Sequence, residues 1–111
     1  MTVVNVRAGS CGFTLRIKAH KDGQRRVSFQ LESECEALGD LALVLEHLGP
    51  LAITDIVRST AGKNPVLTAV SETVSHSACP AAVALIKAAE VELGLNVPSM
   101  VTIEFESDAE P

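Results

Sequence analysis

A chain of 111 residues, 47% hydrophobic and 21% charged, is sized and composed for one folded domain rather than a disordered segment. Its net charge of −5 and its lack of Trp and Tyr argue against a nucleic-acid surface, which needs basic residues and stacking aromatics. No apolar run reaches the roughly 18 residues of a membrane span, and Met1 leads straight into alternating sequence without a basic-then-apolar leader, so the chain reads as cytoplasmic.

In chain order, Val4 and Val6 alternate with Asn5 and Arg7, a short strand over 2–7. Gly9 and Gly12 bracket Cys11 and let the backbone turn tightly there. Phe13, Leu15, Ile17 and Ala19 alternate with Thr14, Arg16 and Lys18 as a second strand. The polar stretch 20–24 contains Asp22-Gly23, a hairpin signal, and Val27, Phe29 and Leu31 mark the returning strand over 26–32. Such a hairpin brings Cys11, before its outgoing strand, close to Cys35, just past its returning one.

Ser33-Glu34-Cys35-Glu36 fits a capping box, with Ser33 as N-cap and Cys35 in the first helical turn. Leu38, Leu41, Ala42, Leu45 and Leu48 form the helix's apolar stripe, and Gly49-Pro50 stops it. A short helix capped by Thr54, a loop over 60–65 and a short helix or irregular segment from Val66 to about Val74 follow. Pro80 belongs in a first turn, so a helix starts near Cys79 and runs through Val83, Ile86, Ala89 and Leu93 to Gly94. Val101, Ile103 and Phe105 alternate with Thr102, Glu104 and Glu106 as a final strand, and residues 107–111 form an acidic tail. The expected architecture is α+β: one domain over 1–106, a mostly antiparallel three- to four-stranded sheet with helices packed on one face.

All three cysteines fall at element boundaries, outside the apolar runs where a structural Cys usually sits. Three thiols cannot all pair within one chain, and in a reducing compartment metal or redox chemistry is the better use of them. Cys35 and Cys79 lie at helix N-termini, where free N–H groups favour a thiolate. Cys11, Cys35, Cys79 and His76 therefore make a candidate metal site, with zinc or an iron–sulfur cluster suited to that donor set. Two other readings stand beside it. One of the low-pKa thiols, Cys35 or Cys79, serves as nucleophile or sulfur acceptor with His76 as its base, or the domain is an interaction module with incidental cysteines.

The order of these residues resembles the NifU N-terminal and IscU-type scaffolds for iron–sulfur cluster assembly. In that family a Cys-Gly precedes a hairpin, a second Cys opens the next helix, and a His-Cys opens the C-terminal helix. Cys11-Gly12, Cys35 and the His76–Cys79 segment match in that order, over roughly residues 10–92. Phe13 stands where the family has Asp, His76 is two residues further from Cys79 than in the adjacent pair, and Ser71-Glu72-Thr73-Val74 replaces the chaperone-recognition motif. The resemblance implies a sulfur donor or a cluster-accepting protein as partner. A second copy of the chain is a further candidate, since three thiolates leave a cluster site open to completion across a symmetric dimer.

Overall fold

Three alternating segments near the N-terminus pair as an antiparallel meander. In the computed structural model, which describes residues 1–57 and 59–107, β1 (Thr2–Arg7), β2 (Thr14–Lys21), β3 (Arg26–Glu32) and β4 (Leu51–Ala52) form a four-stranded sheet in sequence order. Val4 lies opposite Ile17, Val6 opposite Leu15, Ile17 opposite Leu31 and Ala19 opposite Phe29. Side chains alternate across a strand, so this register gathers the apolar set on one face.

Among the described residues four α-helices supply the cover: α1 (Glu36–Leu48), α2 (Ile53–Ile56), α3 (Pro65–Thr73) and α4 (Ala81–Glu92). Helix α1 packs over β3, α4 lies over β1 and β2, and α3 bridges the two helices. Leu38, Leu41 and Leu45 are the buried stripe of α1. The buried positions of α4 are Ala81, Leu85, Ala88 and Ala89, three of them alanine, so this helix lies close on the sheet. With Ile17, Val27, Ile56 and Val66 they make one continuous core. The architecture is the expected α+β arrangement of an antiparallel sheet and helices.

The local expectations change in several places. Leu48 and Val83, expected on the apolar faces of α1 and α4, are exposed, because the stripe of α1 ends at Leu45 and α4 turns Leu85 and its buried alanines to the sheet. Ser33 is not the N-cap of α1. Its hydroxyl donates to the Thr14 carbonyl at 2.6 Å and accepts from the Cys35 N–H at 3.2 Å, which moves the cap to Cys35. The short second helix begins at Ile53 behind Ala52, rather than behind Thr54. Residues 101–106 form no strand: they are exposed and without regular structure, and among the described residues their backbone pairs with no strand. The fourth strand is instead the two-residue β4, paired with Arg26 and Val27. Apart from Ser107, the expected acidic tail lies outside the described residues. Among those residues no helix is long and apolar enough to cross a membrane.

Helix α3 owes its start to Asn64, a buried polar residue. Its side-chain oxygen accepts from the N–H groups of Val66 and Leu67 at 2.9 and 3.2 Å, and its amide donates to the Ile56 carbonyl at 2.6 Å. Pro65 follows at the first helical position, which lacks an intrahelical N–H bond in any case.

Candidate functional site

Cys11 sits on a single 3-10 turn, Gly9–Cys11, between β1 and β2. Gly9 and Gly12 both have φ +76°, a left-handed conformation that glycine adopts without strain. The Gly12 N–H donates to the Gly9 carbonyl at 3.0 Å, and the Ala8 N–H donates to the Phe13 carbonyl at 3.1 Å. The Cys11 thiol is exposed and donates to the Ala8 carbonyl at 3.7 Å.

Cys35 is the N-cap of α1, and its carbonyl accepts the helix's first bond from the Gly39 N–H at 3.0 Å. Its half-buried side chain packs against the core. Cys79 stands one residue before Pro80, the N-cap of α4, and is also half-buried against the core. Its N–H donates to the His76 carbonyl at 3.1 Å, which closes a turn, while His76 is exposed.

The topology directs these positions toward one end of the molecule. Thr14 pairs with Arg7, and the Ser33 hydroxyl bonds the Thr14 carbonyl, so Cys11 and Cys35 flank the same end of the sheet. Helix α4 lies over β1 and β2 with its last residue, Glu92, fixed at the opposite end, so its N-terminus and Cys79 lead back toward the Cys11 end. The donors do not form a ligand set as they stand. Among the described residues no three His, Cys, Asp or Glu side chains are grouped to hold one ion. Zinc–thiolate bonds of about 2.3 Å would require these donors to draw together. An open concavity of about 500 Å³ lies at this end, between Arg7 and Arg16 on one side and Glu32 and Glu34 on the other, and no cysteine lines it.

Two features escape a reading of local sequence. The first is Glu92, whose side chain is 11% exposed. One carboxylate oxygen accepts from the Thr2 hydroxyl and the other from the Lys21 N–H, each at 2.8 Å, and the Met1 ammonium lies at 3.5 Å. Burial pushes this carboxyl up. The Lys21 N–H, the Thr2 hydroxyl and the ammonium together outweigh it and hold the carboxyl below its ordinary value. No pattern within α4 announces these partners, which come from strands some seventy and ninety residues away in sequence.

The second is the uncovered face of the sheet. The strand register places Arg7, Arg16, Lys18 and Arg26 there with Glu32, giving a basic face to an acidic protein. Glu32 lies 3.3 Å from Lys18 and 4.0 Å from Arg16. Strand parity carries this signal, since the apolar partners of the same strands fix which positions face outward.

No curated protein and no solved structure shows a significant match to this chain. A model of one protein family matches residues 2–105, which takes in the sheet, all four helices and the three cysteines. The chain belongs to that family, described as DUF6951, a family of unknown function.

Proposed function

We propose that the protein is a small metal- or iron–sulfur-cluster-binding protein, with Cys11, Cys35 and Cys79 as thiolate donors and His76 as fourth donor or its neighbour. The supporting observation is the placement of three separate thiols toward one end of the sheet, with one of them on a glycine-bracketed turn. The set is not preassembled among the described residues, so the reading requires the donors to draw together on binding. The order Cys11-Gly12, Cys35, His76 and Cys79 also underlies the likeness to NifU and IscU scaffolds, and makes a sulfur donor or cluster acceptor the natural partner. The donors suit either zinc or a cluster.

Metal and acid-labile sulfide analysis of protein purified without oxygen tests this reading. Iron with sulfide, or zinc near one per chain, together with chelator-reversible protection of all three thiols, is the expected result. Neither metal after anaerobic reconstitution removes it.

The exposure of Cys11 beside two half-buried cysteines favours a second reading, a sulfur carrier. The Cys11 thiolate would attack the outer sulfur of a donor's persulfide, form a new S–S bond and release the donor thiolate. One fast thiol and two slow ones, unaffected by chelator, is the signature of that reading.

A further inference from the structure

The two edges of the sheet are treated differently. At one edge β4 is only two residues long and passes directly into α2, which leaves little backbone to recruit another strand. At the other, β1 offers six residues, Thr-Val-Val-Asn-Val-Arg, with one charge and no proline. It pairs with β2 alone, and among the described residues no backbone group bonds its outer side. An open edge of this composition recruits another strand unless something covers it.

The chain also carries a strand-like segment with no place in the sheet. Val101, Ile103 and Phe105 alternate with Thr102, Glu104 and Glu106, yet the three apolar residues are 54, 80 and 93% exposed. The whole stretch from Gly94 to Ser107 is exposed, and the molecule measures 49 × 29 × 26 Å. The root of this segment is fixed near the open edge, because Glu92 bonds Thr2, the first residue of β1.

We propose that residues 100–106 of one chain add as a fifth strand to the outer edge of β1 in a second copy, and that the exchange is reciprocal. Beside β1, one parity of the segment meets each face of the sheet. Val101, Ile103 and Phe105 take the side on which α4 packs, extending the core past half-buried Val4. Glu104 and Glu106 then take the basic side, which carries Arg7 and, one strand further in, Arg16 and Lys18. The opposite parity would set carboxylates against the apolar side, so charge and hydropathy select the same register face. Because root and recipient edge share one side of the molecule, a two-fold axis beside β1 lets each tail reach the other copy. Residues 93–106 extend to on the order of 45 Å, ample for that crossing. The proposal is independent of the thiols.

The test is the molar mass of the full chain by light scattering or sedimentation in the presence of reductant. A mass twice the 11.7 kDa of one chain is expected, with Ile103→Pro giving a monomer of unchanged far-UV circular dichroism. Arg7→Glu is expected to weaken the dimer at least tenfold, and Glu104→Arg with Glu106→Arg to restore it. In dimers mixed from labelled and unlabelled chains, filtered NOEs are expected between Ile103 and β1 of different copies. A monomeric wild type, whether its tail is free or folded onto its own β1, overturns the proposal. So does a dimer that Ile103→Pro leaves intact.

Discussion

The carboxylate of Glu92, in the last turn of α4, accepts a 2.8 Å hydrogen bond from the hydroxyl of Thr2, at the start of β1. With the bond to the Lys21 N–H, it ties the C-terminal helix to the first two strands. The folded-state pKa is lowered, so the stability from Glu92 is fully present above the ordinary glutamate value and is lost as pH falls through the folded value below it. Glu92→Gln keeps one acceptor oxygen for two donors and is expected to cost about 1–3 kcal/mol at neutral pH. Urea titrations at pH 7 and near pH 3 check this. The variant should lose less stability on acidification than the wild type, and an equal loss would contradict the account.

Asn64 offers a second test. Asn64→Ala removes the cap of α3 and strands the Ile56 carbonyl, a combined cost of about 2–4 kcal/mol. Asn64→Asp keeps the cap acceptor but sets a carboxylate against that carbonyl, so it should be destabilised at neutral pH and partly recover on mild acidification. A recovery absent from denaturant curves across that pH range would place the carboxylate elsewhere.

The alanines of α4 predict sensitivity to size. Ala88 is fully buried, so Ala88→Leu is expected to cost about 1–3 kcal/mol through overpacking. Val83→Ala, on the exposed side of the same helix, should be nearly neutral. Thermal melts of the two variants distinguish helix–sheet packing from a general effect on α4.

The thiols differ in access. Cys11 is expected to react with Ellman's reagent well before Cys35 and Cys79 in metal-free protein. Under the metal reading, Cys35→Ser loses bound metal while the circular dichroism is unchanged, and His76→Ala weakens binding less than any cysteine change. Retained metal in Cys35→Ser would remove Cys35 from the ligand set.

Periodicity made the first three strands and α1 legible, because each buries one face and repeats apolar residues at the matching interval. Helix α4 was instead placed by Pro80 and Gly94, and its buried face, Ala81, Leu85, Ala88 and Ala89, is not the expected run from Val83. Asp22-Gly23 correctly announced the hairpin, whose Asp22 N–H donates to the Arg26 carbonyl at 2.9 Å. The failures have tertiary causes. Ser33 had the right sequence for a cap, but the Thr14 carbonyl, brought alongside by the hairpin, engages its hydroxyl. Leu51-Ala52 is too short for periodicity to register and exists as a strand only because β3 lies beside it. Asn64-Pro65 carried the cap-then-proline signal in plain view, although the stretch also reads as loop. For the candidate site, the boundary positions of Cys11, Cys35 and Cys79 were legible. Their spacing in three dimensions was not, because it depends on how separate elements dock.

The order in which the sheet acquires its cover sets a hazard at birth. The meander is complete once Ala52 has been made, but α4, which shields β1 and β2, ends only at Glu92. At about 5–20 residues per second the ribosome takes seconds to supply that helix. Throughout that interval Val6, Leu15 and Ile17 lack the cover of α4 beside an open strand edge, the kind of exposure from which partly made chains aggregate.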